Sequence, residues 1–543
     1  MCRRSLKLVA AHLLAGAVSF PVAAFAAMTC ESLATLKFGD AVVTGAEHIA
    51  SGTFNPPSTP PTNAANIPSG PVTGLPPFCR VTFTIEPTIN VELWLPDVWN
   101  RRFRAEGNGD TAGRFFYDLT ALNLNLGLAR ALRKGYATAN TDTGHQSTGG
   151  GFALNVDGTL NWQLIDDFAW RSNHEMTVKS KAIIKAYYGS APAYSYWHGC
   201  STGGRQGLME IQQFPDDYDG LEIGAPAINW DRFIPSMLWG GVVMNNELGT
   251  GIATTKLTAV TADAINACDA NDAVVDGVLN DPRKCTYDPA QSICKAGQNP
   301  SVCLTPQEAN VVRKMWDGPA DAKGNRLWFG WEIGTRLSGS IPGQSGLAQD
   351  WFRYWVNQST TSDWRTMTES DFVDQYSLGV RKFNEVIGTD DDNLQRFRKA
   401  GRKFIMWHGE ADGSIPPRGS INYFERLQTG NGGKEHVNEF ARLYMAPGVG
   451  HCSGAPGQGP NSFVMDDKIH DVLVDWVENG VAPDRIVTAR TLPNGTVQSR
   501  PLCPYPTTAK WTGLGSTDVA DNFVCADGEN DATDFRIKGP GPN

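Results

Sequence analysis

The sequence predicts an α/β fold: a mostly parallel β-sheet with helices on both faces, interrupted by one large insertion. Three observations predict it. Strand-like apolar runs alternate with segments of helical period from about Phe78 to Pro226. The same rhythm resumes at Lys403-Phe404-Ile405-Met406-Trp407 and Arg442-Leu443-Tyr444-Met445-Ala446. Within the first stretch lies Gly199-Cys200-Ser201-Thr202-Gly203, a Gly-x-Ser-x-Gly turn. It is preceded by the aromatic run Tyr194-Ser195-Tyr196-Trp197 and followed by a stretch with apolar residues at Leu208, Ile211 and Phe214, one helical face.

Taken in order, Arg3, Arg4 and Lys7 precede an apolar run from Leu8 to Phe25, and Ala24-Phe25-Ala26 supplies small residues for cleavage. Residues 1–26 therefore read as a signal peptide, and the protein is expected to be secreted or periplasmic. No later apolar run approaches the ~20 residues a membrane helix needs. The 543-residue chain carries a net charge of −10 and no Lys/Arg cluster, which argues against a nucleic-acid surface. Neither nucleic acid nor membrane is expected as a partner.

From Met28 to about Pro77 the chain reads as loop-rich, with a polyproline stretch at Asn55–Thr62. Cys79–Ile85 and Ile89–Leu95 alternate apolar and polar residues and read as antiparallel strands at a sheet edge. Arg102–Ala105 is the next strand, ending in the glycine-rich turn Glu106-Gly107-Asn108-Gly109-Asp110. Leu122–Lys134 has helical period, Tyr136–Asp142 is a strand, Phe168–Tyr188 a helix and Gly220–Pro226 a strand with its exit. Residues 229–389 break the rhythm and read as an inserted lid domain. The core is then 27–228 and 390–543, the second part ending in a disulfide-stapled cap.

Without Cys2, which goes with the signal, ten cysteines remain, an even count that in an exported chain reads as disulfides. Pairing neighbours gives Cys30–Cys79, Cys268–Cys285, Cys294–Cys303 and Cys503–Cys525, and leaves Cys200 with Cys452.

A strand, a sharp Gly-x-Ser-x-Gly turn and a helix form the nucleophile elbow of an α/β-hydrolase. The pattern alone is weak: a chain this rich in glycine would supply about 0.3 matches by chance. A serine hydroxyl also needs a base, and the base an orienting carboxylate, in the order Ser, Asp/Glu, His on loops leaving strands. Asp412, after the Phe404–Trp407 strand, and His451, after the Leu443–Ala446 strand, fit, with Glu410 as rival carboxylate. Cys200 precedes the serine and Cys452 follows the histidine, so a bridge between them would hold Ser201 and His451 together. His408 and Ile415, on the Asp412 loop, are candidates for substrate contact. Tryptophans 328, 331, 351, 355 and 364 could stack on an aromatic acyl group, although packing the insertion's own core is the simpler role for each.

Gly-Cys-Ser-Thr-Gly-Gly-Arg, Trp-His-Gly-Glu-Ala-Asp and His-Cys-Ser-Gly-Ala-Pro-Gly resemble the Cys-Ser/Asp/His-Cys motif of the tannase and feruloyl esterase family. That family also includes mono(2-hydroxyethyl) terephthalate hydrolases. The resemblance spans Cys30 to Cys525 and implies Ser201 as nucleophile with His451 and Asp412 as its relay. The oxyanion hole would combine the Thr202 N–H with that of Asn108, favoured by similarity, or of Gly109. The acidic run Cys268-Asp269-Ala270-Asn271-Asp272-Ala273-Val274-Val275-Asp276-Gly277-Val278 is, on its residues alone, either a solvated loop or a hard-cation site. The resemblance implies a structural Ca²⁺ on Asp269, Asp272 and Asp276 with the Val274 and Val278 carbonyls, and no catalytic cofactor. The expectation is a serine carboxylesterase acting on small aromatic esters, of hydroxycinnamate or gallate type. Terephthalate half-esters are the alternative substrate, with Arg353 and Arg365 as candidate carboxylate partners. An inactive, calcium-stabilised binding protein is the alternative of another class.

Overall fold

The structure, a computed structural model, describes residues 28–50, 52–57, 70–120, 126–337, 345–452, 467–492 and 494–527. The expected signal peptide lies outside these. Ten strands form the central sheet: β1 (Lys37–Phe38), β2 (Ala41–Ile49), β3 (Phe78–Ile85), β4 (Ile89–Pro96), β5 (Arg102–Glu106), β6 (Ala137–Thr141), β7 (Tyr194–Cys200), β8 (Gly220–Gly224), β9 (Lys403–Gly409) and β10 (Ala441–Ala446). Their spatial order is β1-β2-β3-β4-β6-β5-β7-β8-β9-β10. The first four strands pair antiparallel, and β4 meets β6 antiparallel. From β6 to β10 every pairing is parallel.

The parallel strands are buried on both faces, and so read as continuous apolar runs. β7, Tyr-Ser-Tyr-Trp-His-Gly-Cys, and β9, Lys-Phe-Ile-Met-Trp-His-Gly, are each buried at six of seven positions. Helices Ser172–Tyr188, Thr202–Gln213, Arg418–Gly430 and Lys468–Asn479 connect and flank the strands. The helix expected at Phe168–Tyr188 begins instead with a π-helical turn at Asp167–Arg171. The one expected at Leu122–Lys134 is shorter: the helix runs Leu128–Arg133 and starts after Gly127, whose φ of 114° is not helical.

The segment read as loop-rich contains the nine-residue strand β2. Its alternation is broken at Gly45, where the register against β3 shifts between Val43 and Gly45. A bulge of this kind turns the side chains beyond it to the other face, which removes the period-2 signal.

Between β8 and β9 the chain is helical, with Trp230–Glu247, Thr254–Cys268, Pro306–Asp317 and Glu369–Ile387 as its longer helices. Two start on capping boxes, Thr305 with Glu308 and Thr368 with Asp371. Their apolar faces close on a cluster that includes Trp239, Met315, Trp351 and Phe372. Burying one such side chain stabilises by about 1.5–3 kcal/mol. Trp328, Trp331, Trp351 and Trp355 all belong to this cluster, and Trp364 packs against it. Packing, not ligand contact, accounts for them. Two hairpins end the described chain, Ile486–Thr491 with Val497–Leu502 and Thr507–Trp511 with Phe523–Asp527.

All five expected disulfides are present: Cys30–Cys79, Cys200–Cys452, Cys268–Cys285, Cys294–Cys303 and Cys503–Cys525. Among the described residues no helix is long and apolar enough to cross a membrane.

Candidate active site

The carboxyl ends of β5, β7, β9 and β10 converge, and the loops leaving them carry the candidate residues. This is where parallel α/β sheets place their ligands.

Ser201 sits between β7 and the Thr202–Gln213 helix with φ 63° and ψ −123°. A non-glycine residue pays for that backbone in strain, which persists only where the surroundings hold it. They do so by crowding: a Cβ on Gly199 would lie 2.5 Å from the Gly203 carbonyl oxygen, and one on Gly203 would lie 2.9 Å from that of Asn108. The turn is therefore tight enough to demand glycine on both sides of the serine. Ser201 and His451 both line a cavity of about 570 Å³. The Cys200–Cys452 disulfide, with Cα atoms 5.8 Å apart, holds the two loops together across 252 residues of sequence.

His451 is one-fifth exposed, and its Nδ1 donates to Asp412 Oδ2 at 2.7 Å. Asp412 is fully buried yet has four donors. The His408 Nε2 is 3.1 Å from Oδ2, and the Ser414 and Ile415 N–H groups donate to Oδ1 at 2.7 and 2.9 Å. Burial pushes its pKa up, but the charge of His451 and the hydrogen bonds from His408 and His451 outweigh it, so the carboxyl is held well below the usual range. The Asp412 loop is pinned to the His451 loop by Glu410 N–H on the Ala446 carbonyl and Ala411 N–H on the Val449 carbonyl.

Glu410 does not compete for His451. Burial first, then the neighbouring Asp281, raises its pKa well above the ordinary value, and Arg283 and Arg418 only partly offset this. Nor is it solvent-exposed, at 5%.

The expected substrate contact by His408 is corrected. The side chain is fully buried, receives the Ser420 hydroxyl on Nδ1 at 2.8 Å, and points Nε2 at Asp412 and at the Ile415 carbonyl. It supports the carboxylate from behind. Ile415 does line the cavity.

The favoured oxyanion donor is also corrected. The Asn108 N–H donates to Gln206 Oε1 at 2.9 Å, and the Gln206 amide returns a bond to Asn108 Oδ1 at 3.0 Å, so this N–H is spent. Gln206, on the elbow helix, was not singled out from sequence. Its partner lies 98 residues away and no local pattern marks the pair. Among the described residues neither the Thr202 N–H nor the Gly109 N–H has an acceptor. The cavity wall also contains Trp230, Phe233, Asp110 and Asp350, none of them anticipated. Arg353 donates to the Ser362 carbonyl, and Arg365 pairs with Asp363 on an exposed surface; neither lines the cavity.

The acidic loop gathers in part. Asp272, Val274, Asp276 and Val278 line one small cavity of about 20 Å³, with Asn280 and Arg500. That is room for one water-sized occupant. Burial raises the Asp272 pKa to about 6, and the nearby Asp276 and Asp269 carboxylates add to the shift. Arg500 pairs with Asp276 at 2.7 Å, so one cationic charge is already supplied. Asp269 does not line this cavity; its oxygens accept the Gly277 and Asp276 N–H groups. Two half-buried carboxylates against one guanidinium leave an excess of negative charge at this space, which four of the five expected residues line; such a donor set fits a hard cation.

Comparison with known proteins agrees with this architecture. The family model described as tannase and feruloyl esterase matches residues 72–526. A probable feruloyl esterase of Arthroderma benhamiae is 34% identical over 84% of this chain and 87% of the relative. Feruloyl esterase C of Talaromyces stipitatus is 30% identical over 91% and 94%. The crystal structure of feruloyl esterase B from Aspergillus oryzae superposes with a TM-score of 0.77 at 30% identity, covering 92% of this chain and 99% of that one. The tannin acyl hydrolase of Aspergillus niger shares the fold, with a TM-score of 0.75 at 24% identity and coverage of 92% and 95%. The chain belongs to the tannase and feruloyl esterase family, and is with it a carboxylic ester hydrolase of α/β fold.

Proposed function

We propose that the protein is an exported serine esterase that releases phenolic aromatic acids, of hydroxycinnamate or gallate type, from their esters. One observation carries the mechanism: a serine on a strained elbow and a histidine hydrogen-bonded to a buried carboxylate open on the same cavity. In this reading His451 Nε2 takes the Ser201 hydroxyl proton as Oγ bonds to the ester carbonyl carbon. The carbonyl electrons move onto oxygen, where the N–H groups of Thr202 and Gly109 stabilise them, each by roughly 3 kcal/mol. His451 returns the proton to the departing alcohol. Water, deprotonated by the same imidazole, then cleaves the acyl-enzyme. Asp412 stays ionised throughout, fixing the imidazole tautomer and balancing the imidazolium.

The cavity supports the acyl preference. Trp230 and Phe233 offer faces for an aromatic ring, and Asp110 and Asp350 offer acceptors for phenolic hydroxyls. No lysine or arginine among the described residues lines it. A terephthalate half-ester would bring its free carboxylate against two aspartates, and the arginines near them, Arg114 and Arg353, already interact with Asp110 and Asp350 and are not among the described residues of the wall. Methyl ferulate, methyl gallate and mono(2-hydroxyethyl) terephthalate, assayed side by side, test this. The phenolic esters are expected to lead in kcat/KM by at least tenfold, and a lead by the terephthalate half-ester would overturn the assignment.

A Ca²⁺ ion on Asp272, Asp276 and the Val274 and Val278 carbonyls, with Asp269 orienting the loop, would be structural, because the serine mechanism needs no metal. Removing it with a chelator is expected to lower Tm, and added Ca²⁺ to restore it. The paired cysteines support an exported enzyme and the small residues of Ala24-Phe25-Ala26 support cleavage after Ala26, which N-terminal sequencing of the mature chain would test.

A further inference from the structure

A second cluster of ligating side chains lies at the far end of the elbow helix. Glu210 follows Ser201 by nine residues, roughly 13 Å along the axis, and so belongs to a different neighbourhood. His174, on the Ser172–Tyr188 helix, and Asp217, in the turn before β8, close on it. The His174 Nδ1 is 2.6 Å from Asp217 Oδ2, and one ligand atom from each of the three residues lies within 4.8 Å of the others. The His174 ring is held by stacking on Phe214, with centroids 3.8 Å apart at 12°.

An ion-pair network alone leaves one group unexplained. Glu210 is 1% exposed, and among the described residues neither carboxylate oxygen receives an N–H or hydroxyl donor; the group within hydrogen-bonding reach is the Asp217 carboxyl. The neighbour it faces is another carboxylate. Two carboxyl groups so placed repel unless a proton or a cation sits between them. Lys181 is close by and its charge offsets part of this repulsion, but the hydrogen bond it makes is to the Asp217 carbonyl and not to either carboxylate. A shared proton would join the two acids, but with the imidazole bonded to Asp217 it would still leave three ligand atoms converging within 4.8 Å on no common partner.

We infer that His174, Glu210 and Asp217 form a binding site for a first-row transition-metal dication of the Zn²⁺ class, tying the elbow helix to the Ser172–Tyr188 helix. One imidazole nitrogen and two carboxylates suit Zn²⁺, Mn²⁺ or Fe²⁺ rather than Ca²⁺, which takes oxygen ligands only. Three protein ligands leave a coordination position for water, and His174 is one-quarter exposed, which gives the ion a way in. The role is structural: the site holds the far end of the helix whose near end carries Ser201.

The test uses the full-length mature protein, stripped of transition metals and kept in excess Ca²⁺ so that the acidic loop does not compete. Equilibrium dialysis against Zn²⁺ is expected to give one ion per chain. His174→Gln and Glu210→Gln should each weaken binding at least tenfold while the circular dichroism spectrum and ester hydrolysis persist. Co²⁺ in place of Zn²⁺ should give visible absorption bands that both variants lose. Should a variant fail to fold, the wild-type protein still decides: Zn²⁺ is expected to protect His174 from diethylpyrocarbonate, read by peptide mass spectrometry. No Zn²⁺ bound by the wild type, binding unchanged in both variants, or His174 modified equally with and without Zn²⁺ would each overturn the site and leave a shared proton as the explanation.

Discussion

Asp412 and Glu410 stand two residues apart on one loop, and both are buried, yet their environments drive them in opposite directions. Asp412 collects two imidazoles and two backbone N–H groups and is held ionised. Glu410 Oε2 has no hydrogen-bond partner among the described residues, and burial with Asp281 and Glu332 nearby raises its pKa well above the ordinary value. Burial is common to both, so it cannot be what selects the catalytic carboxylate. Donor count does that. The sequence offers Glu410 and Asp412 as rivals, and the structure separates them by what reaches each from elsewhere in the chain.

The contrast can be broken at either residue. The largest effect is expected for Asp412→Asn, which keeps the shape but removes the charge and frees the imidazole tautomer. Steady-state kinetics on a phenolic ester should show kcat reduced by roughly 10⁴-fold. A loss below tenfold would return the orienting role to Glu410. His408→Gln removes one of the four donors and touches no substrate. It should lower kcat by about 10–100-fold with KM little changed, as expected for one hydrogen bond to a charged group, ~1.5–3 kcal/mol.

Replacing both Cys200 and Cys452 by serine releases the bridge across 252 residues, which the chain-entropy model values at about 5 kcal/mol. Chemical denaturation should show lost stability of that order. Activity of the folded fraction should fall too, because the same bond holds the Ser201 and His451 loops together.

The smallest effect on turnover belongs to Glu410→Gln, expected to leave kcat within about threefold, under ~0.7 kcal/mol of barrier. Its signature lies in stability. A carboxyl whose folded pKa is raised binds more protons folded than unfolded, so its contribution turns unfavourable as pH rises past the unfolded value near 4.3. The glutamine variant should therefore gain Tm over wild type as pH goes from about 4 to 8. Asp412 has the opposite sign: its depressed folded pKa contributes stability above an unfolded value near 3.9, lost only as pH falls through the folded value.

The same division between local and distant causes explains what was legible in the sequence. The elbow is written in consecutive residues, because the collisions that require Gly199 and Gly203 are with the turn's own backbone and the adjoining Asn108 turn. The parallel strands are legible because burial on both faces leaves an unbroken apolar run. Strand β2 is not, because the bulge at Gly45 reverses its alternation midway. The spent N–H of Asn108 and the inward-facing His408 are set by Gln206 and Ser420, whose approach depends on how helices pack and not on spacing. The tryptophans of the insertion drew notice by composition alone. Trp230 belongs to the same core cluster as Trp328, Trp331, Trp351 and Trp355 and alone among them also lines the cavity, which depends on tertiary packing that composition does not carry.

The account rests on Ser201 being the group that forms the covalent bond. Incubating the mature enzyme with an alkyl phosphonate ester probe and mapping the adduct by peptide mass spectrometry tests this most directly. One phosphonyl group on Ser201, formed in step with loss of esterase activity and absent from Ser201→Ala, is the result predicted. An unlabelled Ser201 in a folded protein that still hydrolyses ester, or an inactivating adduct on another residue, would contradict it.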